Sequence, residues 1–270
     1  PFLWTQGNQV GGKSLLWSRH TFRLSDLDFE ANLKEGVGID WPIRYKDIEP
    51  WYDYVESFIG VSGRNEGLPQ LPDGQFIPPF EMNCLEKHLK KRIEATFKER
   101  NLIESRMAVL TQPHNGRGKC MSRNLCHRGC PFGAYFSSNS STLPAAYATG
   151  NLTLRPHSIV HSIIWDKQKN KATGVRVIDA ETKETFEYFA PVIFLNASAL
   201  QTTKILMQST SDIFPNGFAN NSGVLGHYLM DHYSGPGAAA GYEILKDQYY
   251  FGQRSTSTYI PRFQNLTKQD

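Results

Sequence analysis

Three of the chain's four cysteines lie close together in the stretch GKCMSRNLCHRGCPFGAY, residues 118–135. The bacterial run that binds iron–sulfur clusters has the spacing C-x2-C-x2-C-x3-C-P. Cys120, Cys126 and Cys130 fit this spacing, as does the proline that follows, but Arg123 occupies the second cysteine position. Because three thiolates can hold a three-iron cluster, the stretch raises the hypothesis of an iron–sulfur site at these cysteines. The alternative is a site that has lost its cluster and survives as a packed loop.

A disulfide-built scaffold is disfavoured, because four cysteines are too few to build one in a chain of 270 residues. The clustered trio points instead to metal or redox chemistry. His127 and the distant Cys84 are the candidates for a further cluster ligand, although the spacing supports neither.

A glycine pair marks a second stretch, QVGGKSLLWSRH, residues 9–20. Gly11 and Gly12 can adopt a positive φ or let the backbone come close to a ligand. The amides that follow could then face a flat, electron-poor ring or a phosphate. Taken alone, the pair is equally typical of a tight turn between two elements.

Two further stretches combine small residues with elements that could hold a ligand. VIFLNASALQTTKILMQS, residues 192–209, has the pattern of a strand, a small-residue turn and a helix whose first amides could bind an anion. Close packing at a strand-to-helix corner is the alternative. GVLGHYLMDH, residues 223–232, contains two histidines five positions apart, which do not share a helical face, so a metal site is disfavoured there.

Composition excludes several classes of function. A hydrophobic fraction of 40% and a charged fraction of 20% are typical of a folded globular protein of one large or two ordinary domains. The net charge is only +3 and the chain has no basic run, so nucleic acid is disfavoured as a partner. No apolar stretch reaches the roughly 18 to 20 residues of a membrane span. Because the chain opens without methionine or leader features, we expect an internal piece of a longer protein.

Hydrophobic periodicity predicts two helices before the cysteine run. The first covers residues 46–59, with Asp47 as its cap. A proline-rich, irregular connection follows at 68–80. The second helix begins near Cys84, and its apolar positions recur at Leu85, Leu89, Ile93 and Phe97.

After the cysteines the pattern changes to strands. Residues 151–165 are strand-like, and two more extended runs flank a predicted turn at 181–183. A buried strand at 192–195 and a helix at 199–209 complete the series. Strands that alternate with helices in this way indicate a mixed α/β architecture.

In combination these stretches resemble the glucose–methanol–choline (GMC) family of FAD-dependent oxidoreductases, in its branch of sugar dehydrogenases and pyranose oxidases. The resemblance extends from residue 9 to about residue 235. It is carried by VGGKSLLW, GVGIDWPIRYKDIEPWYDYVESFIGVSG, CPFGAYFSSNSSTLPAAYATGNLTLRP, FLNASALQTTKILMQS and GVLGHYLMDH.

The resemblance implies an α/β fold: part of a Rossmann-like, three-layer FAD-binding domain, interleaved with a substrate domain of antiparallel sheet and helices. Residues 1–60 and 150–236 would form parts of the discontinuous FAD-binding domain. Residues 61–149 would be a helical, cysteine-containing insertion, and 237–270 the start of the substrate domain. The dinucleotide fingerprint GxGxxG is expected before residue 1. The catalytic histidine, with a second His or Asn, is expected beyond Asp270.

The family places the double-glycine loop against the isoalloxazine ring of the flavin. This implies flavin contacts from Gly11, Gly12, Ser14, Trp17 and Ser18. Ser18 corresponds to a small residue near the reactive N5 and C4a edge. Pyranose oxidases bind FAD covalently through a histidine of this loop, and Leu16 stands at that position, so we expect non-covalent FAD.

Other cofactor contacts implied by the resemblance lie later in the chain. The backbone of Ile159 or Val160 would meet the adenine. The residues near the pyrophosphate and flavin would be Ala197, Ser198, Ala199, Asp231 and His232. The eight histidines of this chain are expected to have structural or surface roles and not to supply the catalytic base. Some relatives carry an iron–sulfur cluster at about the position of the cysteine run.

The activity implied is oxidation of a secondary hydroxyl of a sugar or glycoside by hydride transfer to flavin N5. By resemblance to glucoside 3-dehydrogenases, C3 of the ring is favoured over C2. Electrons would pass to a protein or quinone-like acceptor and not to oxygen. The alternatives are a pyranose-oxidase-like enzyme that uses oxygen, a non-catalytic flavoprotein fragment or binding subunit, and a purely structural α/β module.

The expected partners are the sugar substrate and an electron-transfer protein or small second subunit. Neither nucleic acid nor a membrane span is expected. The resemblance favours the periplasm as the location, with the cytoplasm as the alternative.

Overall fold

The computed structural model describes residues 5–230, 237–246 and 256–267. The chain divides into two compact units. Unit 1 comprises Pro1–Leu152 and Gly241–Asp270, and unit 2 comprises Thr153–Ala240. No helix in the described part of the chain is both long enough and apolar enough to cross a membrane.

The described elements are short helices and strands joined by irregular segments. The α-helices are α1 Asp26–Phe29, α2 Ala31–Glu35, α3 Tyr45–Ile59, α4 Cys84–Thr96, α5 Thr142–Ala148 and α6 Ala199–Gln208. The strands are β1 Val61–Ser62, β2 Phe76–Ile77, β3 Ile103–Glu104, β4 Ser158–Asp166, β5 Lys171–Asp179, β6 Thr185–Phe189 and β7 Thr258–Tyr259. Helices α3, α4 and α6 confirm the three predicted helices.

The start of α3 differs from the prediction in its cap. Asp47 was expected to cap the helix, but Arg44 is the N-cap residue. Asp47 lies three residues further on, where its carboxylate accepts the backbone N–H of Arg44 at 2.8 Å. The carboxylate therefore satisfies an orphan amide of the first turn from inside the helix.

A buried ion pair anchors α3 to the preceding segment. The side chains of Arg23 and Glu56 are 1% and 5% exposed. Arg23 Nε donates to Glu56 Oε1 at 2.9 Å, and Arg23 Nη2 donates to Glu56 Oε2 at 2.5 Å. Asp53 and Tyr45 accept further bonds from the same guanidinium. Burial alone would lower the pKa of Arg23, but these bonds outweigh it and raise the pKa above its ordinary value.

The hydrophobic core of unit 1 draws on both sides of the predicted domain boundary at residue 60. Ile59, Val61 and Ala108 form a buried cluster. The half-buried residues packed against this cluster are Trp17, Phe58, Phe76 and Phe136. Segments 1–60 and 61–149 thus share one core, and the division into an FAD-binding part and an insertion stays a prediction.

Residues 102–110, which we call the spine, run through the centre of unit 1. All are buried except Glu104. The spine pairs with four distant segments: Met107 forms bridges to His20 and Ser62, Val109 forms one to Tyr135, and β3 pairs with β7. These pairings satisfy backbone groups that burial would otherwise leave unpaired.

Unit 2 is built on an antiparallel sheet with the order β4-β5-β6. The predicted strands and the turn at 181–183 are confirmed, although β4 begins only at Ser158. The carboxylate of Asp179 accepts the backbone N–H groups of Glu181 and Thr182 at 2.8 and 2.9 Å. These two bonds hold the turn and lower the pKa of Asp179.

The prediction of a buried strand at 192–195 is wrong. The segment is irregular, and Val192 and Phe194 are 65% and 82% exposed. An apolar run forms a strand only beside another strand that accepts its backbone bonds. In the described ranges, no strand lies beside this segment. The described residues therefore confirm a mixed helix-and-sheet fold and contain no layer of parallel strands comparable to a Rossmann-like sheet.

We expect the Glu56→Gln variant to lower the free energy of unfolding by about 3 kcal/mol, because it leaves the buried Arg23 guanidinium with the partly exposed Asp53 as its remaining charged partner. Chemical unfolding followed by circular dichroism measures the change. Glu94→Gln is the matched control, since Glu94 pairs with Lys90 at the surface of α4, and its cost should be below about 0.5 kcal/mol. Equal losses in the two variants would contradict the structural role of the buried pair.

Candidate functional site

The glycine loop, residues 9–20, folds as a tight turn followed by a short 3-10 helix, Gly12–Leu15. Both glycines adopt a positive φ, 97° for Gly11 and 49° for Gly12, as the sequence predicts. The Gly12 N–H donates to the carbonyl of Gln9 at 2.8 Å and closes the turn. A Cβ on Gly11 would lie 2.4 Å from Asn139 Oδ1, so only glycine fits there.

Ser14 joins the glycine loop to the segment that follows the cysteine run. Its hydroxyl donates to the carbonyl of Gly11 at 2.5 Å and accepts the backbone N–H of Ser138 at 3.0 Å. Asn139 Nδ2 donates to the carbonyl of Val10 at 3.2 Å. The conformation of the loop is therefore set by residues more than a hundred positions away.

Arg19 is the residue that fixes the glycine loop from within. It is 4% exposed and has a φ of 68°. Its guanidinium donates to four backbone carbonyls, those of Ser14, Leu15, Trp17 and Phe136. The guanidinium carbon also lies 3.7 Å from the centre of the Tyr135 ring. Burial lowers the pKa of Arg19, while Tyr135 and the nearby thiols of Cys126 and Cys130 oppose that effect.

Sequence reasoning did not identify Arg19, Ser138 or Asn139 as part of the site. A buried arginine that bonds to carbonyls leaves no periodic signal, because its partners are set by the tertiary fold. The polar run SSNSS, residues 137–141, was the available hint of a backbone-binding segment.

The surface of the glycine loop is open at the residues predicted to face the flavin. A Cβ on Gly12 would meet only one described atom within 4 Å, the carbonyl oxygen of Gly7 at 3.9 Å. Ser18 and Leu16 are exposed. Trp17 packs edge-on against Phe136 at 6.0 Å, and its buried Nε1 has no hydrogen-bond partner among the described residues. A flat ring could thus approach the backbone at Gly12.

The structure brings the three clustered cysteines to one pocket. Cys120, Cys126 and Cys130 line it together with Arg123 and Phe132. None of these three cysteines forms a disulfide, and all three are half-buried. Within the described ranges, no group of three or more His, Cys, Asp or Glu side chains is arranged to hold a metal ion. The cysteines therefore share a pocket, but their arrangement is not that of a metal centre.

The arginine at the missing cysteine position points at an aromatic ring of this pocket. The guanidinium carbon of Arg123 lies 5.9 Å from the centre of the Phe132 ring. The backbone N–H of Ser122 reaches the sulfur of Cys120 at 3.5 Å. Cys126 and Cys130 are also among the groups that raise the pKa of Arg19 against the effect of its burial.

The predicted adenine contacts lie on β4 of unit 2. Ile159 pairs with Ile178 and Val160 with Val177, and a bulge follows directly after Val160. Because β4 is an edge strand, one side of its backbone is left outside the sheet. Such an edge with a bulge exposes the kind of backbone groups that an adenine ring could meet.

The predicted pyrophosphate contacts lie at the start of α6. Ser198 has a φ of 70°, and its carbonyl accepts the backbone N–H of Thr202 at 2.8 Å. Ala197 and Ser198 are half-buried and Ala199 is exposed, so the first turn of a ten-residue helix is accessible. These contacts belong to unit 2 and those of the glycine loop to unit 1. Asp231 and His232 lie outside the described residues.

Comparison with known families gives one match. A family model described as GMC oxidoreductase matches residues 1–234.

Several curated proteins are similar to the chain. It is 30% identical over 230 residues to a 2-methyl-1,2-propanediol dehydrogenase of Mycolicibacterium austroafricanum. This alignment covers 83% of the chain and 41% of the relative. It is 28% identical over 265 residues to a fructose dehydrogenase large subunit of Gluconobacter japonicus, with coverage of 95% and 46%. A 6'''-hydroxyparomomycin C oxidase of Streptomyces lividus is 25% identical over 269 residues, with coverage of 96% and 48%. The chain thus spans less than half the length of each of these relatives.

We expect Arg19→Lys to lower the free energy of unfolding by at least about 2 kcal/mol. A lysine cannot reproduce the planar fork of the guanidinium, so several buried carbonyls lose their donor. Urea unfolding of the purified protein measures the loss. Arg92→Lys, at an exposed position of α4, is the control and should change little. An Arg19→Lys protein as stable as the control would show that the glycine loop holds its shape without these bonds.

Proposed function

The chain belongs to the GMC oxidoreductase family, and on this premise we propose that it is the FAD-binding part of a dehydrogenase that acts on a sugar or alcohol CH–OH group. The observation that carries the proposal is the open face of the glycine loop. There the left-handed Gly12 exposes backbone to a flat ligand, the left-handed Gly11 closes against Asn139, and Arg19 and Ser14 hold the turn in place. A preorganised surface of this kind binds a rigid ring without a large ordering cost.

Each residue of the glycine loop has its own role in the proposed binding of the cofactor. Gly12 lets the ring come close, Gly11 is proposed as a backbone contact beside it, and Ser14 holds the turn through the carbonyl of Gly11. Trp17 is proposed to contact the ring through its half-buried side chain, and the exposed Ser18 to stand at the reactive edge. Leu16 has no nucleophilic atom, so FAD is held without a covalent bond.

Further cofactor contacts are proposed for residues of unit 2. The backbone of Ile159 or Val160 meets the adenine, and Ala197, Ser198 and Ala199 bind the pyrophosphate through the first amides of α6. Asp231 and His232 contribute near the flavin. When bound, FAD accepts a hydride from the carbon that bears the substrate hydroxyl. In the finer form of the proposal, the substrate is a sugar or glycoside oxidised at C3 or C2.

The proposed electron acceptor is a protein or quinone-like molecule and not oxygen. The name of one relative, a large subunit, supports a second subunit as partner, and the periplasm is the proposed location. An iron–sulfur cluster at Cys120, Cys126 and Cys130 is proposed only on their spacing and shared pocket, and binding it would require the three side chains to turn toward one another. Another relative is named an oxidase, which favours use of oxygen as the second candidate.

The proposal is tested by adding candidate substrates to the purified full-length protein without oxygen. We expect the visible flavin absorption to bleach with a sugar or glycoside, because hydride transfer reduces the ring. Bleaching by a simple diol alone would correct the substrate class. A protein that retains no flavin after reconstitution would refute the proposed function.

The same preparation also tests the state of the cofactors. After acid precipitation the yellow colour should stay in solution, and a yellow pellet would show a covalent bond. Iron and sulfide analysis of anaerobically purified protein tests for the cluster. Absence of both elements would refute the cluster hypothesis. Peroxide formed at the rate of sugar turnover would identify oxygen as the acceptor.

Gly12→Ala tests the placement of the flavin directly. Its Cβ meets open space in the protein but would project from the face that holds the ring. We expect FAD to bind at least about tenfold more weakly, a loss of roughly 1.4 kcal/mol. Gly116→Ala is the control, because its φ of 75° is also positive and nothing lies within 4 Å. Both variants should lose about 1 kcal/mol of stability, and equal FAD affinity in the two would contradict the proposed site.

A further inference from the structure

A chain of four hydrogen-bonded side chains begins at Ser18 on the glycine loop. His20 Nδ1 lies 3.0 Å from Ser18 Oγ, and His20 Nε2 lies 2.8 Å from Ser257 Oγ. Ser257 Oγ is in turn 2.9 Å from Ser105 Oγ. The imidazole therefore bridges an exposed hydroxyl at one end and a hydroxyl beside the buried Ser105 at the other.

The His20 ring is held in this orientation by its neighbours. Its backbone forms a bridge with Met107 of the spine. The ring stacks on Phe22 at 6.3 Å, and Phe22 stacks on Tyr259 of β7 at 4.2 Å. Two rings and a backbone bridge thus fix the side chain, and both imidazole nitrogens lie within hydrogen-bonding distance of hydroxyl partners, on an exposed side at Ser18 and a half-buried side at Ser257.

A neutral imidazole sets the donor-to-acceptor direction of the hydrogen bonds among these four side chains. One ring nitrogen carries a proton and donates, while the other accepts. A serine hydroxyl can donate or accept. The hydrogen bond between Ser257 and Nε2 therefore determines the tautomer of His20, and the tautomer determines whether the Ser18 hydroxyl donates to Nδ1 or accepts from it. Burial lowers the pKa of His20, which favours this neutral form.

We infer that His20 is a positioning residue that fixes the hydroxyl of Ser18 at the edge of the bound flavin, with Ser257 holding the far side of the imidazole. An exposed serine without such a partner samples several χ1 rotamers. With His20 in place, Ser18 presents one hydrogen-bonding atom in one direction. This inference rests on the proposed function, because Ser18 meets the flavin only if the glycine loop binds it.

The role differs from catalysis by a base. His20 already uses both nitrogens on serine hydroxyls, so it acts through Ser18 and not on the substrate. The effect should therefore appear in the flavin itself: in its binding, and in its absorption spectrum, which responds to hydrogen bonds at the ring edge.

The test compares His20→Ala, His20→Gln and Ser257→Ala in the full-length holoenzyme. We expect His20→Ala to weaken FAD binding about tenfold and to shift the visible bands of the bound flavin. His20→Gln, whose amide can both donate and accept, should recover much of the wild-type spectrum. Ser257→Ala should shift the bands in the same direction and by less. His88→Ala is the matched control, since His88 is also half-buried but packs against Tyr242.

Each outcome bears on the inference. A folded His20→Ala protein with the wild-type spectrum and affinity overturns it, and so does an equal shift in His88→Ala, which would show a general effect of packing. If His20→Ala does not fold, the glutamine and Ser257 variants decide in the same way. A wild-type protein that binds no FAD overturns the proposed function together with this inference, whereas a flavin that binds normally and ignores His20 overturns the inference alone.

Discussion

The candidate site depends on a single buried guanidinium. Arg19 joins four carbonyls, three from its own loop and one from Phe136, so a turn near the start of the chain and a segment beyond the cysteine run become one rigid piece. Only arginine has enough donors in a fixed plane for this arrangement. The same charge interacts with Cys126 and Cys130. A negative charge on either cysteine would therefore favour the charged form of Arg19.

Local patterns predicted the elements whose stability is local. Helices α3, α4 and α6 show apolar periodicity, β4 to β6 show strand-like runs around a turn, and the glycine pair predicts the left-handed turn. The failures concern partners that the sequence does not show. Residues 192–195 are as apolar as a buried strand but lack a described neighbour, and Glu56 on α3 is buried because Arg23 lies across from it. Neither the exposure of residues 192–195 nor the burial of Glu56 follows from periodicity.

In the candidate site, too, the sequence predicted the features that depend on neighbouring residues and missed those that depend on distant ones. The double glycine and the cysteine spacing are short-range signals. In the structure both glycines have a positive φ, and the three cysteines line one pocket. The residues that hold them, Arg19 and Ser138, act over long distances in sequence. Whether three thiols converge on a metal depends on the directions of their side chains, which spacing alone does not determine.

The spine has a consequence for how unit 1 forms. Its buried backbone pairs with residues near the start of the chain, with β1 and with β7, and the link from His20 to Ser257 joins positions 237 apart. Most of these contacts are between residues far apart in sequence, which is the condition for slow folding. The central segment can become protected from hydrogen exchange only after the last of its partners has been synthesised. During translation, Ile103 and Glu104 therefore lack their strand partner until β7 leaves the ribosome, about 150 residues later.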